Sequence, residues 1–289
     1  MPTPRKNPPS ITLIGAGSLA HALGPALKRA GFKIQSVVSR SLPESRARAL
    51  ALAKQLGTTS LTLEKFQISS EIVWLCHTDD ALAGTATALA RQPDWKNKIV
   101  FHSSGALTSQ VLLPLRRAGA YTASLHPMMT FVPGTAPDME KVPFTVEGDR
   151  RAVAAARKIV RRLKAPIFEI RKESKVLYHA LGSFSSPMVV ATLVTAERVG
   201  KAAGLSPQQV KKVMTRILLQ TVTNYLRRGP AAAFSGPIKR GDLNTVRHHL
   251  RELERVPGAS DVYRALVRSA LMDLPAGNKR ELGRLIERK

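Results

Sequence analysis

Ile11-Thr-Leu-Ile-Gly15-Ala-Gly-Ser-Leu-Ala20 runs from a short β-branched apolar stretch through two glycines into a helical pattern. The apolar stretch reads as a buried parallel strand. Leu19 to Ala30 has helical spacing and stops at Gly31, a good C-terminal cap. The join fits Gly-x-Gly-x-x-Gly/Ala. Gly15 permits the tight turn, Gly17 lets the backbone approach a pyrophosphate, and Ala20 allows close helix–strand packing. The helix start supplies N–H groups and a positive dipole end, so Ala16, Ser18 and Leu19 join the two glycines as candidate cofactor-binding residues. The alternative is a tight turn with no ligand.

Outward from this turn the unit repeats. Strands are expected at Phe32–Val38, Ile72–Cys76, Ile99–His102, Ala123–His126, Val142–Val146 and Ile167–Ile170. Helices alternate with them at Leu42–Leu56, Asp80–Ala90, Ser109–Ala118 and Arg150–Leu163. This alternation predicts an α/β fold with a doubly wound parallel sheet of the Rossmann type. After Lys172 strand signals cease, and helical segments follow at about 174–203, 207–228, 242–255, 259–273 and from Asn278. The expected organisation is a flexible basic tail over 1–9, a cofactor domain over 10–171 and an all-helical substrate and dimerisation domain over 172–289.

The 289 residues carry 45 Lys and Arg against 20 Asp and Glu, a formal net charge of +25. Residues 51–150 are neutral, whereas 151–250 hold nineteen basic and four acidic side chains. Charge alone points to nucleic acid. With aromatic residues at 5% and no stacking or recognition-helix motif, no specific nucleic-acid partner is expected. The charge reads instead as solvated helix faces, such as Arg150-Arg151 and Arg161-Arg162, that steer anions toward a cleft. A hydrophobic share of 44% is enough for a sizeable core. The apolar runs look too short for a membrane span, Cys76 has no disulfide partner, and no secretory signal opens the chain. A cytoplasmic protein is expected, and no metal-ligand cluster is apparent.

The second strand ends in Val38-Ser39-Arg40-Ser41, where an NAD enzyme places a carboxylate for the ribose 2′-hydroxyl. Arg40 with Ser39 and Ser41 suits a 2′-phosphate, so NADP is favoured over NAD. Ser41-Leu42-Pro43-Glu44 also reads as a capping box. Cys76-His77-Thr78-Asp79-Asp80 brings Thr78 to the cofactor, with Asp79 or Asp80 as helix N-cap. His102-Ser103-Ser104-Gly105 offers Ser103 for chemistry and Ser104 for a substrate carbonyl or carboxylate, or else both cap the next helix. His126 ends another strand before a loop, Met128–Pro137, that is long enough to act as a lid or to be an ordinary surface loop.

With these motifs placed, the chain resembles the 6-phosphogluconate-dehydrogenase-like superfamily, and within it Rossmann-like proteins whose C-terminal half is a helical domain of unknown function. The residues that carry the resemblance are Gly15-Ala16-Gly17, His102 to Leu107, Ser124-Leu125-His126-Pro127, Val142-Pro143-Phe144, Tyr178-His179-Ala180 and Ser235 to Asp242. It implies an NADP oxidoreductase fold with a 6-phosphogluconate-dehydrogenase-type helical domain, often homodimeric through that domain, and a proton donor on its first helix. The family pattern places Asn after Ser where this chain has Ser186-Pro187, which weakens a substrate role there and predicts a kink.

His179, Ser183, Ser186 and Val190 would share one helical face. A histidine titrating near working pH suits a general acid, so His179 and Ser183 are the catalytic candidates beside Ser103. Ser186, His126, Ser104 and Arg240 are the candidates for substrate binding. Tyr178 reads as a proton donor or a packing residue. The expected activity is hydride transfer between NADP(H) and a small anionic substrate. The alternatives are a dinucleotide-binding sensor or scaffold without turnover, suggested by the lack of a lysine-type catalytic signature, and a nucleic-acid-binding protein.

Overall fold

A computed structural model of the chain describes residues 8–132, 134–135 and 137–287. Most of the expected basic tail, and Pro133 and Ala136 in the expected lid, lie outside the described residues. The chain divides into two compact units, Met1–Phe184 and Ser185–Lys289.

The first unit is built on one eight-stranded sheet in the order β3-β2-β1-β4-β5-β6-β7-β8. Its strands are β1 Ile11–Ile14, β2 Ile34–Ser39, β3 Thr59–Thr62, β4 Ile72–Leu75, β5 Ile99–His102, β6 Tyr121–Pro127, β7 Phe144–Gly148 and β8 Ile167–Glu169. The helices between them are α1 Ser18–Arg29, α2 Pro43–Leu56, α3 Asp79–Leu89, α4 Leu113–Arg117 and α5 Arg150–Arg162, and α6 Lys175–Ser185 follows β8. Strands β1 to β6 are parallel, so their carboxyl ends share one edge of the sheet. Every residue of β1 is buried, and it alternates between two cores. Leu13 packs with Leu23 and Leu27 of α1 and Ile159 of α5. Ile14 packs on the other face with Leu82 and Leu89 of α3.

The expected parallel Rossmann sheet is present, with one antiparallel pair in it. β7 runs antiparallel to β6, with Leu125 opposite Val146. The connection from Pro127 to Phe144 holds a short 3-10 turn and no crossover helix, the usual route to a parallel neighbour. β3 was not anticipated, because Thr59-Ser-Leu-Thr62 is polar and occupies the sheet edge, where only one neighbour supports it. The capping box expected at Ser41 does not form. Leu42 takes the N-cap position and the Ser41 hydroxyl turns to Glu64 at 2.8 Å.

The second unit is helical, with α7 Pro187–Ala202, α8 Pro207–Arg228, α9 Pro230–Ala233, α10 Pro237–Arg240, α11 Leu243–Leu253, α12 Ala259–Asp273 and α13 Lys279–Glu287. Ser206 and Gln209 close a capping box at the start of α8, with Pro207 in the first turn. Val246, Leu250, Val267 and Leu282 form a small core. Val213, Ile217, Val222 and Leu226 of α8 are exposed.

Against the expectation that every apolar run is too short for a membrane, one 18-residue window within Lys172–Ala202 reaches a mean hydropathy of 1.3, enough by length and composition alone to cross one. The stretch is not one continuous helix. Ser186 leaves helical geometry at φ −135° and ψ −84°, and Pro187 opens α7. The single face expected to carry His179, Ser183, Ser186 and Val190 is therefore broken after Ser183.

Candidate functional site

The glycine turn meets the ends of three parallel strands. Gly15 lies at φ +103°, a conformation that favours glycine, and a Cβ there would stand 2.8 Å from the Cys76 carbonyl oxygen and 3.2 Å from Nδ1 of His77. Gly17 is the N-cap of α1 with no side-chain cap, so the first N–H groups of that helix face outward. The turn forms one wall of a cleft of about 150 Å³. Ser39 and Arg40 at the end of β2, Ser45 and Arg48 on α2, and His77 and Thr78 after β4 also line it. Nε2 of His77 is buried without a hydrogen-bond partner. Burial, then the charge of Arg40, hold its pKa down to about 4, against the pull of Asp80.

A second cluster gathers at the carboxyl ends of β5 and β6, where α6 lies over them. The Tyr178 hydroxyl and His126 Nδ1 are 3.0 Å apart. The rings of His126 and His179 sit edge to face with centroids 6.2 Å apart. Gly105 makes room for both, since a Cβ there would overlap His179 Cδ2 and stand 3.0 Å from His126 Nε2. Beneath them Lys175 is wholly buried, and its Nζ donates to Ser124 Oγ at 2.6 Å. Burial lowers the Lys175 pKa to about 8, while Glu147 and Asp79 oppose the shift. Glu147 is itself buried, accepting from the Ser109 N–H and hydroxyl at 2.6 and 2.8 Å.

Burial and then the neighbouring Lys175 charge push His126 down to about 3. The same two causes bring His102 to about 3, so both rings are neutral near pH 7. Desolvation also raises the Tyr178 phenol. A neutral phenol and a neutral imidazole in contact can hold one proton between them and present it to a bound group.

Among the residues expected from sequence, Gly15, Ala16, Gly17, Ser39, Arg40 and Thr78 come together in the cleft. Ser18 opens α1, and Leu19 packs against the core. The Ser41 hydroxyl donates to Glu64. Thr78, not Asp79 or Asp80, is the N-cap of α3.

Ser103, the catalytic candidate at the end of β5, has its hydroxyl engaged within the sheet. Its hydroxyl accepts from Trp74 Nε1 at 2.8 Å and donates to the Leu125 carbonyl at 3.1 Å, tying three strands together. The Ser104 oxygen accepts from the N–H groups of Ala106 and Leu107 and closes the turn. Ser183 returns its hydroxyl to the His179 carbonyl at 3.5 Å. Ser186 and Arg240 belong to the second unit, Ser186 at the helix break and Arg240 exposed at the end of α10.

Sequence reasoning missed Lys175 because a lysine near a helix start reads as solvated. The signal was its spacing, with Lys175, Tyr178 and His179 at i, i+3 and i+4 on one face. Among the described residues, no group of three or more His, Cys, Asp or Glu is placed to hold a metal ion.

Two family models match the chain: a Rossmann-like domain over residues 4–127, and DUF2520, a domain of unknown function, over residues 142–270. No curated protein matches. Among solved structures, a candidate NADP oxidoreductase from Bacteroides fragilis is 25% identical with a TM-score of 0.75, covering 91% of this chain and 97% of its own. The protein TM1727 of Thermotoga maritima is 26% identical with a TM-score of 0.70, covering 96% of this chain and 100% of its own. An imine reductase from Myxococcus stipitatus in complex with NADP+ is 14% identical with a TM-score of 0.64 over 96% of this chain and 100% of its own, a likeness of fold alone. The chain thus matches a Rossmann-like domain and, after it, a DUF2520 domain.

Proposed function

We propose that this chain is an NADP(H)-dependent oxidoreductase that moves hydride to or from a small anionic substrate. The observation that carries the reading is the cleft in which the uncapped start of α1, the cramped Gly15 and Arg40 converge. These residues fit a dinucleotide: Gly15 and Gly17 would let the pyrophosphate reach the backbone, and Arg40 would face the 2′-phosphate. The likeness to the candidate NADP oxidoreductase from Bacteroides fragilis supports the same reading.

When bound, the nicotinamide supplies or accepts the hydride. The chain's own groups at the ends of β5 and β6 handle the proton. Tyr178 and His126 hold it between phenol and Nδ1, and His179 stands beside them as a second donor. The buried Lys175 ammonium favours negative charge developing on a substrate oxygen above it.

Titration of NADPH fluorescence is the first test, with a dissociation constant below about 100 µM expected. Gly105→Ala is the companion variant. Its Cβ would displace the ends of His126 and His179 without touching the cleft, so NADPH affinity should stay within about twofold. Turnover of whichever hydroxy acid, keto acid or imine the wild type accepts should fall at least about tenfold. No NADPH binding by the wild type would sink the reading. Unchanged turnover in the variant would remove the chemistry from this cluster.

A second copy of the chain is the partner we propose for the helical unit, because α7 and α8 expose Val190, Val194, Ile217 and Leu226, an unusual load of apolar surface for a monomer. Sedimentation equilibrium should return twice the 31.4 kDa chain mass, and a monomer at micromolar concentration would refute this.

A further inference from the structure

The cleft beside the glycine turn holds two charged or polar groups that neither the Gly-x-Gly pattern nor the end of β2 requires. Arg48 lies two turns into α2 and lines the same cavity as Arg40, with the buried Ser45 one turn before it on the same helix. His77 closes the opposite wall. Its ring packs over Gly15, and its Nε2 is buried with no hydrogen-bond partner. A buried polar atom without a partner is costly, and its persistence at a cleft wall calls for a group that it meets when the cleft is filled.

The chemistry of the walls defines that group. Two guanidiniums on one side match a phosphomonoester dianion, which offers more acceptor oxygens than one arginine can saturate. An imidazole uncharged near pH 7 on the other side adds a hydrogen bond without adding charge. It stands over Gly15, where a pyrophosphate would meet the backbone, and the pyrophosphate is common to both dinucleotides.

Resting on the dinucleotide reading above, we propose that Arg48 shares the 2′-phosphate of the cofactor with Arg40, and that His77 hydrogen-bonds the bound nucleotide through Nε2. The two residues then have separable effects. Arg48 acts on the choice between NADPH and NADH. His77 acts on the affinity for both.

The test is a fluorescence titration of NADPH and of NADH against the full chain and three variants, with thermal unfolding as the folding control. Arg48→Gln should weaken NADPH about tenfold, one charge-assisted bond, and leave NADH within about twofold. His77→Leu should weaken both about tenfold. His77→Gln, which keeps an N–H donor on a flexible stem, should recover most of that loss. A packing role for His77 predicts that Gln and Leu lose affinity alike, and that result overturns its assignment. Equal loss of NADPH and NADH in Arg48→Gln, or loss of neither, overturns the assignment of Arg48. If wild type binds neither cofactor, the dinucleotide reading itself falls. If wild type binds and the variants do not differ from it, only this proposal falls.

Discussion

Between pH 7 and pH 5 the first unit should lose about 6 kcal/mol of folding stability and unfold near the lower end of that range. Three imidazoles produce the loss. His77 is held down to about 4, and His102 and His126 to about 3. In the unfolded chain each returns to about 6.5. Below that value the unfolded state binds protons that the folded state refuses, so stability falls as pH falls. The contribution is complete above about pH 6.5 and drains away down to the folded values. At pH 5 each ring accounts for about 2 kcal/mol, and the three together approach the whole stability of an ordinary domain.

Carboxylates do not confuse this window. Those whose pKa the fold lowers, such as Asp80 and Asp242, drop below already low values and act only at more acid pH. Thermal unfolding at pH 7, 6 and 5 checks the claim, and a midpoint that stays level across the three would refute it. His126→Asn should flatten the dependence by about a third, because one of three similar contributions is gone.

These histidines also mark the limit of what could be read from the chain. The run Ile11–Ala20, the cap at Gly57 and the capping box at Ser206 are local, and each forms where neighbouring residues dictate it. The parallel pairing of β1 with β2 follows from α1, a helix long enough to cross over. What could not be read is whatever depends on a residue far along the chain. Ser103 looked available until Trp74, 29 residues earlier on the adjoining strand, took its hydroxyl. Lys175 looked solvated until α6 settled on the sheet and gave it Ser124, 51 residues away. His77 carried no spacing signal at all. Its meaning comes from standing over Gly15, and strand pairing between β1 and β4 sets that.

That same pairing makes Gly15→Ala the most damaging single methyl group to add to the cleft. Two costs combine. At φ +103° an alanine pays about 1 to 3 kcal/mol in backbone strain alone. Its Cβ also falls 2.8 Å from the oxygen and 2.9 Å from the carbon of the Cys76 carbonyl, both backbone atoms of a residue buried against the core. A side-chain tip could swing aside, but this carbonyl cannot move without shifting the end of β4, whose ladder with β1 spans Ile11 to Ile14. A total near 3 kcal/mol is therefore expected, seen as a lower urea midpoint with an unchanged slope. NADPH affinity should fall at least about a hundredfold in the molecules that remain folded, since the turn must open just where a pyrophosphate would meet the backbone. Gly17→Ala is the matched control, because a Cβ there meets no atom within 4 Å. Its fold should be nearly unaffected, and any loss of affinity would come from crowding the ligand alone. If Gly15→Ala proves no less stable than Gly17→Ala, the turn is not the constrained junction that the contacts of Gly15 describe.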